Sequence, residues 1–167
     1  MSLQLFDRLG ELPFYNEDID NDADIPSAAA TFRERVGGAD RVLAVTPEYN
    51  GTMPAVLNNA IDWLSRPYGQ GALVGKPFGV FTSTSTLHGG QESTLLSMML
   101  PLLHHGMLIV GLPYTEPELT LTASGGTPYG ASHVAGVASD APLTEHERKL
   151  CMAHGRRLAD LEVRNSG

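Results

Sequence analysis

With 167 residues, 42% of them hydrophobic and 18% charged, the chain has the size and balance of one globular domain. Its formal net charge of −8 and its dispersed Lys and Arg residues argue against a surface that follows nucleic-acid phosphates. No apolar run approaches the roughly 20 residues that cross a bilayer, and no basic segment precedes an apolar stretch at the start. We therefore expect a cytoplasmic protein that binds neither nucleic acid nor a membrane.

Apolar runs and helical patterns alternate along the first half of the chain. Residues 3–6 are predicted to form a short strand that leads into an acidic surface loop. A helix is expected over residues 25–37, where apolar side chains recur at helical spacing before a Gly-Gly stop. Residues 42–45 are continuously apolar, as in a parallel strand covered on both faces. Thr52 can cap the helix that follows and ends near Leu64.

The same alternation continues in the second half. Residues 78–81 and 107–112 are predicted strands on either side of a helix over residues 91–105, in which Pro101 predicts a kink or break. Residues 113–142 are rich in Gly, Thr, Ser and Pro and have no sustained period, which indicates a functional loop or a subunit contact. A last helix is predicted to begin with a Thr144–Glu147 capping box and to run toward Val163.

This order of elements predicts a single α/β domain over residues 1–167, built on a doubly wound parallel sheet. In such sheets ligands bind at the carboxyl ends of the strands, where two polar loops follow here at residues 46–54 and 82–92. An isoalloxazine ring needs an aromatic or apolar surface, hydrogen bonds to its pyrimidine part and close backbone approach. Tyr49, Asn50 and the Gly51 backbone offer these contacts. The alternative is that this segment is only a turn, because Asn-Gly favours turns.

The residues of these loops resemble two related families. TPEYNG at 46–51, PAVLNNAIDWLSRP at 54–67 and DRLGELP at 7–13 resemble the NADPH-dependent FMN reductases over about residues 3–82. GGQE at 89–92, LHHGM at 103–107 and GGTPYGA at 125–131 resemble the tryptophan-repressor-binding-protein-like NAD(P)H:quinone oxidoreductases over about residues 83–163. Both families have a flavodoxin-like fold and use FMN. The chain thus resembles a junction of two families near residues 82–88, either natural or engineered.

The resemblance implies a set of residues that contact FMN. They are Pro47, Glu48, Tyr49, Asn50, Gly51, Thr84, Ser85, Thr86, Leu87, His88, Gly89, Gly90 and His105. His105 would approach the flavin, within its own subunit or from a neighbouring one, whereas His104 ends a helix and has an electrostatic reason to be there without a ligand. The quinone oxidoreductases have a more Gly-rich loop where this chain has Leu87 and His88. No Cys or carboxylate spacing accompanies the histidines, so we expect no metal site.

Both families normally begin with a strand and a loop that binds the FMN phosphate at a helix N-terminus. The sequence lacks that pattern, so we expect a flavodoxin-like sheet without its usual first strand, phosphate loop and first helix. Residues 3–6 would then pair directly with residues 42–45, a strand of another chain would replace the absent one, or a gap would remain. The last arrangement is disfavoured because it leaves backbone groups unpaired.

The resemblance implies an oxidoreductase in which FMN takes a hydride from NAD(P)H and passes electrons to a quinone or to free flavin. Tyr49, Asn50 and His105 are candidates for tuning or stacking, and no side chain is assigned a catalytic role. The alternative is a non-enzymatic flavodoxin-like fragment or engineered scaffold with weak or no flavin binding. The choice between NADH and NADPH stays open. An incomplete sheet and the 113–142 segment predict a homodimer or homotetramer.

Overall fold

The computed structural model describes residues 2–66 and 71–161. Short 3-10 helices span Leu9–Glu11 and Glu17–Ile19. The α-helices are α1 (Ser27–Gly37), α2 (Ala55–Leu64), α3 (Gln91–His104), α4 (Glu118–Leu121) and α5 (Glu145–Asp160). The strands are β1 (Val42–Pro47), β2 (Pro77–Thr84), β3 (Leu108–Ile109) and β4 (Ala131–Val134).

All strand pairs are parallel, and β2 lies at the centre of the sheet. One edge of β2 pairs with β1, with Val42 opposite Phe78. The other edge pairs first with β3, near Pro77, and then with β4, near Thr84, so these two short strands lie end to end. The apolar run that predicted a strand at residues 78–81 therefore belongs to the most buried strand, as expected for a parallel sheet.

Helices cover both faces of the sheet, which confirms the predicted doubly wound α/β class. On one face, α2 and α3 pack on Phe78 and Val80 in a core that also includes Leu95 and Met98. On the other face, α5 packs on β4 through a cluster that includes Leu150. Because side chains alternate along β2, each face of this one strand joins a separate apolar cluster. No helix among the described residues has the length and apolar character to cross a membrane.

β1 forms an edge of the sheet in the part of the chain that the structure describes. Its Leu43 and Val45 side chains remain 45% and 59% exposed. Among the described residues, no strand pairs with the second edge of β1. The predicted strand at residues 3–6 is wrong, because that segment forms no ladder and leaves Leu3 exposed, whereas Phe6 stacks on α1. Direct pairing of residues 3–6 with residues 42–45 is therefore absent.

Three other predictions need correction. α3 continues through Pro101 to His104, so the helix does not break there, and the kink stays a prediction. The strand predicted over residues 107–112 shortens to β3, although the Val110 N–H still donates to the Phe78 carbonyl. Residues 113–142 contain α4 and β4, which the irregular composition did not predict. The Thr144–Glu147 capping box is confirmed, and Val163 lies outside the described residues.

Candidate functional site

The first predicted loop folds into a tight turn directly after β1. The backbones of Tyr49 and Thr52 exchange hydrogen bonds of 3.1 and 3.2 Å. Asn50 and Gly51 between them have φ values of 55° and 76°, a left-handed region that Asn and Gly tolerate best. Asn50 and Gly51 therefore form a turn, as the tendency of Asn-Gly pairs predicted. The Tyr49 side chain is left 60% exposed beyond the end of the strand.

Side chains hold this turn from both sides. The Glu48 carboxylate accepts a hydrogen bond from the Gly51 N–H at 2.5 Å. Ser93, in the first turn of α3, donates its hydroxyl to the Gly51 carbonyl at 2.7 Å. One helical turn later, the Ser97 hydroxyl accepts from the Met53 N–H at 3.0 Å. The turn is thus fastened to the start of α3.

Residues 84–90 of the second predicted loop lie against the first loop. The buried Thr84 hydroxyl donates to the Thr86 carbonyl at 2.9 Å, and residues 85–89 are exposed. Gly90 has a φ of 123°, and a Cβ placed on it would come within 2.8 Å of the Gly51 Cα. A side chain at Gly90 would therefore force the two loops apart. The structure brings Pro47–Gly51 and Thr84–Gly90 together at the carboxyl ends of β1 and β2.

The carboxyl ends of β1 and β2 offer the kinds of contact that a flavin ring requires. They present the exposed Tyr49 ring and the partly exposed Leu87 side chain, together with loop backbone groups that can approach a planar ligand closely. α2 and α3 both begin here, and the unpaired N–H groups of a helix N-terminus carry partial positive charge. The residues present therefore fit the ring of FMN.

His105 lies at the other end of the same subunit. It follows the C-terminus of α3, and the adjacent Gly106 carbonyl accepts from the Gly75 N–H just before β2 begins. The eight residues of β2 separate that end from the loops by about 23 Å at roughly 3.3 Å per residue. Burial, assisted by neighbouring His104 and opposed by Asp62, lowers the pKa of His105. Within one chain, His105 does not join the loop residues.

The sequence predicted only a capping role for Glu147. Its carboxylate also holds β4, whose last residue, Val134, pairs with Thr84 at the start of the second loop. The fully buried carboxylate accepts from the N–H groups of Gly125, Val134 and Thr144 and lies 3.1 Å from His133 Nδ1. Burial alone would raise the pKa of Glu147, but these donors outweigh it and lower the pKa to about 2. The capping box predicted one of these backbone contacts and gave no sign of the others.

A profile of the NADPH-dependent FMN reductase family matches residues 1–115. The chain belongs to this family. The match extends beyond the residues 3–82 that the sequence motifs indicated, and the suggested junction near residues 82–88 stays a hypothesis.

Relatives and solved structures agree with this assignment to the FMN reductases. An NAD(P)H dehydrogenase (quinone) of Trichlorobacter lovleyi is 42% identical over 144 residues, 85% of this chain and 69% of the relative. One from Syntrophus aciditrophicus is 47% identical over 127 residues, 72% of this chain and 61% of the relative. The chain thus spans about two thirds of the length of such curated relatives.

Two solved structures share the fold. FerB, a flavoenzyme NAD(P)H:(acceptor) oxidoreductase from Paracoccus denitrificans, is 32% identical with a TM-score of 0.63, covering 90% of this chain and 74% of FerB. A flavodoxin, WrbA-like protein from Agrobacterium tumefaciens has 20% identity and a TM-score of 0.57, covering 84% and 76% of the two chains. The second likeness concerns the fold alone, and together they confirm the flavodoxin-like architecture.

Proposed function

We propose that this FMN reductase family member transfers electrons from NAD(P)H through FMN to a quinone or to free flavin. The observation that carries the proposal is the meeting of the two loops, Pro47–Gly51 and Thr84–Gly90, at the carboxyl edge of the sheet. The flavoenzyme FerB and the NAD(P)H dehydrogenases (quinone) among the relatives support the same chemistry. The chemistry that FMN would supply when bound is acceptance of a hydride from the nicotinamide and transfer of electrons to the acceptor.

In this proposal, the protein positions the ring and shields one side of it. Tyr49 stacks on or beside the ring, and Asn50 hydrogen-bonds its polar edge. Gly51 would allow close backbone approach because it has no side chain, and Glu48 and Ser93 hold its backbone in place. Residues 84–90 would contact the ring from the neighbouring loop. The ring is then held by two loops that are joined to the same helix, α3.

The FMN phosphate needs donors of its own, and the neighbouring hydroxyl run could supply some of them. Thr84 is buried and donates to the Thr86 carbonyl, whereas the side chains of Ser85 and Thr86 are exposed. Charge-assisted hydrogen bonds to a phosphate contribute about 1.5 to 3 kcal/mol each, so two such donors change FMN affinity by roughly two to four orders of magnitude.

The cheapest test is an absorbance spectrum of the purified protein, followed by steady-state turnover with NADH and NADPH and a quinone or flavin acceptor. Flavin absorbance with turnover supports the proposal. A protein without either would favour the alternative, a non-enzymatic flavodoxin-like fragment or scaffold, whose supporting observation is the exposed edge strand β1. Titration with FMN and with riboflavin then tests the phosphate. Equal affinities indicate no phosphate site, and a hundredfold preference for FMN, about 2.7 kcal/mol, shows that one exists.

The proposal includes a homodimer or homotetramer acting in the cytoplasm. An apolar stripe on α3, formed by Leu96, Leu100 and Leu103 at helical spacing, is exposed on each subunit and is a candidate contact for a second copy. His105 lies just beyond the end of that stripe. Because His105 is remote from the loops of its own subunit, its proposed role at the flavin requires a second copy to deliver it.

A further inference from the structure

Gln91, the first residue of α3, connects the second loop to the interior of the protein. Its side chain is almost fully buried, with 4% exposure. The amide Nε2 donates to the Leu87 carbonyl at 2.8 Å. The amide oxygen Oε1 accepts from the Ser132 hydroxyl of β4 at 2.6 Å. Both ends of the amide are therefore engaged, one on the exposed loop and one on the sheet.

The hydrogen bond to Leu87 determines which way the next peptide group faces. In a trans peptide the carbonyl and the following N–H point in opposite directions. With the Leu87 carbonyl turned inward to Gln91, the His88 N–H is directed outward, away from the buried amide. No other described residue accepts a hydrogen bond from the His88 N–H. The loop therefore presents a free backbone donor on its exposed side.

The other end of the connection is rigid. Ser132 is fully buried, and its oxygen accepts from the Gly126 N–H at 2.7 Å. Gly126 has a φ of 106°, and a Cβ there would lie 2.2 Å from Leu150 Cδ1, so this position packs closely on Leu150 and does not accept a side chain. A chain of hydrogen bonds thus connects the second loop to β4, running from Leu87 through Gln91 and Ser132 to Gly126.

We propose that Gln91 is a positioning residue that holds the Leu87–His88 peptide so that the His88 N–H donates to an acceptor of the bound flavin ring. The inference rests on the proposed function. Gln91 itself does not touch the ring; it acts through Leu87. The energetic reason is that a preoriented donor avoids the cost of ordering a loop when the ring binds.

Three substitutions separate this role from general stabilisation. Gln91→Glu keeps an acceptor for Ser132 but removes the donor to Leu87. Ser132→Ala removes the anchor but keeps that donor. Gln91→Met removes both contacts without burying a charge, and serves if Gln91→Glu is unstable. Gln4→Glu makes the same charge change at an exposed, remote position and is the control.

Two measurements on the whole chain then decide the inference. Without ligand, amide hydrogen exchange over residues 84–90 should accelerate in Gln91→Glu and Gln91→Met, and much less in Ser132→Ala. With ligand, both Gln91 variants should bind riboflavin about tenfold or more weakly, and the midpoint potential of the bound flavin should shift; Gln4→Glu should match the parent.

The outcomes are distinguishable. If the folded Gln91 variants retain the parent's riboflavin affinity and potential, the inference is overturned while the proposed function stands. Unchanged hydrogen exchange in the loop overturns it as well, with no flavin needed for that result. If the parent protein binds no flavin, the proposed function fails, and the flavin contact of His88 fails with it.

Discussion

Replacing Glu147 by Gln should destabilise the fold by about 3 kcal/mol at pH 7. The pKa of this buried carboxyl is about 2 in the folded protein against an ordinary value of 4.5. At about 1.4 kcal/mol per pH unit, that difference corresponds to roughly 3 kcal/mol of preferential stabilisation of the charged form. The substitution also turns one of the two carboxylate oxygens into an NH₂ group. If this is Oε2, the NH₂ group faces the Thr144 N–H and His133 Nδ1, which then lose their acceptor.

The pH dependence gives a sharper test than the magnitude. Because the folded pKa is depressed, the stabilisation from Glu147 is fully present above about pH 4.5 and is lost as the pH falls toward 2. The neutral amide of the Glu147→Gln variant does not titrate, so the stability gap between parent and variant should narrow over this range. Urea unfolding at several pH values from 7 to 3 measures the gap directly.

A matched control is available two residues away. Glu145→Gln alters an exposed carboxylate that pairs with Arg148 on the same turn of α5, and should cost less than about 1 kcal/mol. The reasoning is refuted if Glu147→Gln lies within about 0.5 kcal/mol of the parent at pH 7. A large difference in the free energy of unfolding that stays constant down to pH 3 would also refute it. The lost stability would then come from packing and not from the charge of Glu147.

Three further predictions concern the ring, the backbone and the assembly. Tyr49→Ala and Asn50→Ala should each weaken FMN binding by about 1 to 3 kcal/mol in a fluorescence titration, and unchanged affinity in both would leave the turn with a structural role only. Gly126→Ala should lower the melting temperature, since its methyl group would collide with Leu150, whereas Gly155→Ala, a helical position with open space, should leave it unchanged or raise it. Light scattering at micromolar concentration should give a mass above that of one chain; a monomer would contradict the proposed oligomer.

The fold class could be predicted from the sequence because its evidence is local. Continuous apolar runs marked β1 and β2, helical spacing marked α1 to α3, and the Thr144–Glu147 pair marked the start of α5. The Asn50-Gly51 turn was equally readable, since it depends on two adjacent residues that tolerate positive φ. β4 could not be predicted, because its four residues, Ala131–Val134, lack a clear strand pattern and form a strand through their pairing with β2.

The sequence by itself thus determined the parallel α/β architecture and the two loops in which a ligand site was expected. Only the tertiary structure decided how those loops are held, because the contacts that hold them are remote in the chain. Ser93, which binds the first loop at Gly51, lies 42 positions away from it, and Gln91, which supports the second loop, lies 41 positions from its partner Ser132 in β4. The tertiary structure also placed His105 at the opposite end of the sheet from the two loops. It showed that residues 3–6 do not form a strand. The pattern of side chains limits which secondary structures a segment can form, whereas its contacts with other segments determine which of them it adopts.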